Sequence, residues 1–77
     1  MVNYNDNNYY YDIIRNNIWK YRKEKLFTQE QLAEETDLSV DYIVEIASLK
    51  KQKHFSIITL GRIADVLKID IKDFFNK

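Results

Sequence analysis

With 77 residues the chain can build one small domain, which buries roughly 60% of the surface its unfolded form exposes and has no space for a separate sensor unit. Its composition, 45% hydrophobic with no Pro and a single Gly, lacks the turn residues of a many-stranded fold and predicts an all-α bundle. The 12 basic and 12 acidic residues cancel, so net charge gives no support for nucleic-acid binding, and the absence of Cys excludes a disulfide scaffold and thiolate chemistry and fits a cytoplasmic protein.

The N-terminal stretch "MVNYNDNNYYYD" has neither a basic start nor an apolar core of signal-peptide length. No later apolar run approaches the roughly 20 residues of a membrane span, so a soluble chain without a membrane partner is expected. Residues 1–11 are dominated by Asn and Tyr and predict a mobile arm ahead of a single domain over residues 12–77. An arm that packs on a partner or reaches along DNA and a plain unstructured tail are both open readings.

From Asp12 to about Lys25 the apolar side chains Ile14, Ile18 and Tyr21 recur at intervals of four and three, which puts them on one stripe of a first helix with Asp12 available to cap its start. Trp19 falls off that stripe and is expected to face outward with Arg15 and Lys23 nearby. Its cover would come from the N-terminal tyrosines or from a protein partner, since Trp and Tyr are enriched at interfaces.

Thr28 opens "TQEQ", in which the Thr hydroxyl accepts from the third backbone N–H and Gln31 reaches back; this capping box starts a second helix that runs to about Glu35. Its inward residues are Leu32 and Ala33, and the small Ala lets another helix cross closely. Ser39 is a good N-cap for a third helix, over residues 39–48, with Ile43 and Ile46 on one side. The connection of about three residues is too short for an antiparallel pair and suits a crossing near 90–120°, the geometry of a helix-turn-helix. Ser56 opens a fourth helix with Ile57, Leu60, Ile63, Ala64 and Leu67 on one face, and Asp70 caps a last turn carrying Ile71, Phe74 and Phe75. Of those two phenylalanines, one is expected to close the core and the other to be left for a dimer contact.

Although the chain is neutral, "KYRKEK" (20–25) and "KKQKH" (50–54) are basic clusters and "EQLAEETD" (30–37) is acidic, so one face can still be basic. Catalysis is not expected, because His54 is the only histidine and Gly61 lies inside a helix rather than in a phosphate-binding loop. Glu34, Glu35 and Asp37 are too close in sequence to form an acid–base pair, and neither a metal nor a cofactor is implied.

The segment "TQEQLAEETDLSVDYIVEI" resembles the helix-turn-helix core of lambda-repressor-like, Cro-type (XRE) DNA-binding domains. "IWKYRKEKLFTQEQLA" is similar to the family's first helix and the start of its second, and "FSIITLGRIADVLKIDIKDFF" to its fourth and fifth, so the resemblance covers residues 12–75. It implies a compact five-helix domain whose helix-turn-helix is held together by Leu32, Ala33, Leu38, Ile43 and Ile46. It further implies a homodimer on double-stranded DNA, with the third helix in the major groove and half-sites of a pseudo-palindromic operator about 34 Å apart. The implied base-contact positions are Val40, Asp41, Val44 and Glu45; the implied phosphate contacts are Arg22, Thr28, Gln29, Ser39, Tyr42, Lys50, Lys51 and Lys53. Gln29 begins the second helix, where backbone N–H groups suit a phosphate oxygen, and extra N-terminal capping is its other reading. Small stand-alone members of the family act as repressors, restriction-modification controllers and antitoxin-type autoregulators.

Four positions depart from the family pattern. Asp37 stands where the turn usually has a glycine in the left-handed conformation, which Asp tolerates at a cost on the order of 1 kcal/mol. Ala47 replaces a glutamate that commonly pairs with the first-helix arginine, here Arg22, so a DNA phosphate and Glu45 become its candidate acceptors. Leu49 replaces the glycine after the recognition helix, which predicts that the helix runs on into "LKKQK"; the lysines there are either phosphate contacts or a solvated run. Finally, Asp41 and Glu45 are acids where the family usually has Gln, Arg, Ser, Thr or Asn. Either they accept from a cytosine amino group beside a Val40–thymine methyl contact, or Asp41 serves the helix dipole and Glu45 is an ordinary exposed or paired acid. The acids also suit a protein-interaction scaffold with little or no DNA binding, whose third helix has turned to a basic partner or to its own copy, and Trp19 and the N-terminal arm, as protein contacts, fit that reading.

Overall fold

The computed structural model describes residues 8–77, and these residues form helices α1 (Tyr9–Glu24), α2 (Gln29–Thr36), α3 (Val40–Ala47) and α4 (Ile57–Leu67), closed by a 3-10 helix (Ile71–Phe75). The described residues are thus all-α with four α-helices, and the expected fifth helix is a 3-10 turn. The first helix begins at Tyr9, three residues before the expected start at Asp12. Asp12 caps nothing: its backbone N–H already donates to the Asn8 carbonyl (2.8 Å) and its carboxylate is taken by Arg15. Residues 9–11 of the expected arm are therefore helical, and residues 1–7 lie outside the described residues.

The starts of the later helices follow from their caps. Thr28 and Gln31 form the reciprocal box, Thr28 Oγ1 accepting from the Gln31 N–H at 3.0 Å and Gln31 Oε1 from the Thr28 N–H at 2.9 Å. Ser39 and Ser56 each accept from the third backbone N–H of their helix at 3.1 Å, and Asp70 accepts from Lys72 N–H at 3.1 Å. Each cap occupies one backbone donor that the helix itself leaves unpaired.

The ends of α1, α2 and α4 share one device. Leu26, Asp37 and Lys68 adopt φ of 63°, 60° and 60°, and the next residue in each case, Phe27, Leu38 or Ile69, sends its N–H back to a carbonyl five residues earlier (Arg22, Ala33 and Ala64). This is the Schellman termination, which turns the chain sharply and drops an apolar residue onto the helix it has just left. Phe27, Leu38 and Ile69 accordingly pack against the core. None of the three left-handed positions is glycine, so each carries a side chain where the backbone disfavours one.

The core consists of Ile14, Ile18, Leu32, Ala33, Ile43, Ile46, Phe55, Leu60, Ile63, Ala64, Leu67 and Phe74. Ala33 is buried where α2 packs on α3 and α4, and residues 37–39 alone join α2 to α3, as the spacing predicts. Phe74 closes the core and Phe75 stays 46% exposed. Ile57 was expected on the inner face of α4, but it is 64% exposed, because buried Phe55, just before the helix, fills the core at that end.

Three polar or charged residues are buried, and of these Thr36 donates its hydroxyl to the Leu32 carbonyl one turn back at 2.6 Å. Asn17 donates from its amide to the carbonyls of Phe74 and Asn76, each at 2.7 Å, and so fastens the 3-10 helix to α1. Arg15, expected beside Trp19 on the outside, is 1% exposed. Its guanidinium meets Asp12 Oδ1 at 2.8 Å, donates to the Lys53 carbonyl, and lies over the rings of Tyr11 and Phe55 at 5.6 and 5.9 Å. Its Nε finds no acceptor among the described residues.

Two stability outcomes are expected from denaturant titration. Because Asp12 is the carboxylate paired with a buried guanidinium, Asp12→Ala is expected to cost about 1–3 kcal/mol, and Arg15→Ala more than Arg15→Met, which keeps the volume of the stem. Leu26→Gly and Lys68→Gly are each expected to raise the unfolding free energy by about 1 kcal/mol, and Asp37→Gly by less, since Asp tolerates the left-handed region better.

Candidate nucleic-acid interface

Burying Ile43 and Ile46 turns the opposite side of α3 to solvent. That side carries Val40 and Val44, 40% and 43% exposed, with Asp41 exposed between them, and these three are neighbours at helical spacings of three and four. Ser39 caps the helix through Tyr42, and Asp41 lies in the first turn, where a negative charge meets the positive end of the helix dipole.

Glu45, half-buried beside that ridge, is paired: the Lys53 Nζ lies 3.3 Å from its Oε1. The same ammonium sits 5.5 Å from the centre of the Tyr42 ring. Lys53 is thus brought against α3, although eight residues separate it from Glu45 in sequence. Lys50 and Lys51 are exposed in the preceding turn, and neither is ion-paired among the described residues.

The segment that presents these lysines is not a continuation of the helix. Contrary to the expectation from Leu49, α3 ends at Ala47, where Ser48 turns extended (φ −87°, ψ 120°) and its Oγ accepts from the Lys51 N–H at 3.3 Å to start a tight turn. Beyond Gln52, at φ 50°, three consecutive residues are held by the first two turns of α1. The Lys53 carbonyl accepts from Arg15; the His54 ring stacks on Tyr11 at 4.1 Å and hydrogen-bonds Asn8 Oδ1 at 3.1 Å; Phe55 meets the Tyr11 ring edge-on at 5.0 Å. Sequence reasoning missed this clamp, for which the available signal was weak: an Arg three residues after an Asp and four after a Tyr on one helix.

At the other end of the candidate surface, Arg22 has an acceptor that neither open reading named. Its Nη1 donates to the Phe27 carbonyl at 2.7 Å while its own carbonyl accepts the Phe27 N–H at 3.0 Å. Glu45, the proposed alternative, is engaged with Lys53 instead. Arg22 therefore fixes the chain immediately before Thr28 and Gln29, which are exposed and half-buried at the start of α2. Thr28, Ser39 and Tyr42 all serve helix capping through their hydroxyl or backbone groups.

Trp19 is 52% exposed under the Lys23 ammonium at 5.5 Å from the ring, while Tyr9 and Tyr10 pack on each other at 4.8 Å. Among the described residues there is no group of three or more side chains placed to hold a metal ion, and no helix is long and apolar enough to cross a membrane.

No curated protein sequence matches the chain. Residues 20–74 match the family model described as helix-turn-helix, a segment that includes α2, α3, α4 and nearly all of the 3-10 helix but omits Arg15 and Asn17. The matched segment is most of the chain, and the protein belongs to the lambda-repressor-like helix-turn-helix family of DNA-binding regulators.

Proposed function

We propose that the protein is a sequence-specific transcriptional regulator of the small stand-alone repressor or controller type, binding double-stranded DNA as a dimer with α3 in the major groove. The observation that carries this reading is the position of Lys53, which stands beside the outward ridge of α3 and would be next to a phosphate whenever that ridge faces bases. Lys50 and Lys51 extend the cationic edge, and the N-terminus of α2 at Thr28 and Gln29 offers backbone N–H groups to a second phosphate. Val40 and Val44 are suited to thymine methyl groups.

Glu45 acquires a defined role in this scheme. To reach a phosphate, Lys53 leaves Glu45, and an exposed pair of this kind is worth only about 0.2–1 kcal/mol. The exchange is cheap, yet it leaves a carboxylate facing DNA unless a cytosine amino group is there to donate to it. Binding to arbitrary sequence is thereby penalised, and a matching site is not. Asp41 is supported at its position by the helix dipole and needs no base partner.

A second reading is favoured by the exposure of Trp19: a helix-turn-helix scaffold used to hold another protein through that side of α1. The two are separated by titrating DNA from upstream of the protein's own gene at several salt concentrations. With six to eight phosphate contacts per dimer, log affinity is expected to fall against log salt with a slope of roughly −5 to −7, whereas no binding at low salt by an intact dimer would select the second reading. Lys53→Ala is expected to weaken all sequences alike and to reduce the slope by about one per protomer. Glu45→Gln is expected to raise non-specific affinity by up to about fivefold and to change the preference at one base pair; unchanged affinity and preference would remove Glu45 from the groove.

A further inference from the structure

α4 carries an exposed apolar strip that the DNA-facing surface does not use. Ile57 and Ile58 are 64% and 69% exposed, and Gly61 neighbours both, three and four residues on. Ile57 also borders a groove of about 250 Å³ formed with Tyr10, Tyr11, Phe55, Leu60 and Phe75, whose lining contains no charged side chain. Gly61, the chain's only glycine, has no reason among the described residues to be one: it is helical, its φ is not positive, and a Cβ built on it meets nothing within 4 Å. A glycine inside a helix nevertheless costs about 1 kcal/mol relative to alanine. Bare backbone between two protruding isoleucines is the shape that lets another helix cross closely.

From this we infer that the strip Ile57, Ile58 and Gly61, with Tyr10 and Phe75 at its edge, is the surface through which two copies of the chain pair about a two-fold axis. The proposal deepens the dimeric reading above by naming its interface, and rests on that reading for its purpose. A second copy is the occupant that fits, because a protruding isoleucine and a bare glycine on one strip are self-complementary, which a two-fold contact requires. The groove at the edge of the strip offers no charge for an ionic partner to recognise, and the exposed charges next to the strip on α4, Arg62 and Asp65, are of opposite sign. Tyr10, Ile57, Ile58 and Phe75 together expose on the order of 450 Å² of side chain. Two such patches cover about 900 Å², an area in the range of weak, transient contacts, so the pair is expected to form at high concentration rather than permanently.

The test is sedimentation of the full chain without DNA, from about 1 μM to about 1 mM. A concentration-dependent monomer–dimer equilibrium is expected, shifted at least tenfold toward monomer by Gly61→Ala and further by Ile58→Lys. At concentrations where only monomer is present, Gly61→Ala is also expected to raise the thermal midpoint by roughly 4–8 °C, since the new methyl meets open space and favours the helix. A more stable monomer that dimerises less well is an outcome that damage to the fold cannot produce. A chain that stays monomeric throughout, or a Gly61→Ala variant that gains stability and associates as before, overturns the proposal. Since association is measured without DNA, either result leaves the DNA reading to be decided by its own salt dependence.

Discussion

The guanidinium of Arg15 is the point from which the segment after α3 is held. A charged group with 1% exposure must be satisfied by what surrounds it, and its partners come from two parts of the structure: Tyr11 and Asp12 from the first turn of α1, the Lys53 carbonyl and Phe55 from the segment after α3. Fixing the carbonyl of Lys53 fixes the base of the side chain that pairs with Glu45. The lysine turn is thereby positioned by a helix that contributes nothing to the exposed ridge of α3. Asn17 does the equivalent for the C-terminal 3-10 helix through two carbonyls. Both lie ahead of residue 20, where the family match begins, so this chain supports a shared core with contacts from outside the matched segment.

What could be read from the residues divides along the reach of the interactions. Caps are local, and Thr28, Ser39, Ser56 and Asp70 all start their elements as the spacing predicts. The inner positions Leu32, Ala33, Ile43 and Ile46 were likewise visible, because helical periodicity reports one-sided burial directly. Asp37 adopts the left-handed conformation expected of it. Arg15 was misplaced because an arginine in an amphipathic pattern reads as solvent, and what buries it arrives 38 residues later in the chain. The end of α3 was misjudged for a related reason: Leu49 permits a helix, but Ser48 has already turned out of it to accept from Lys51.

The candidate site shows the same division. Its outward residues on α3 follow from the inward ones, so Val40, Asp41 and Val44 were assignable from Ile43 and Ile46. What Glu45 faces was not, since that depends on where a turn eight residues away brings Lys53. Arg22 follows the same rule in reverse: its acceptor is five residues away, in a termination that depends on Leu26 taking a left-handed backbone that bulky residues avoid.

That termination has a bearing on how long the protein lasts. Ending three helices on side-chain-bearing left-handed residues gives up a few kcal/mol in all, against a total of only about 5–15 kcal/mol for a domain of ordinary stability. A forfeit of about 2 kcal/mol multiplies the unfolded population about thirtyfold, and unfolded chains are what cellular proteases remove. The same turns that shape the domain therefore shorten its lifetime.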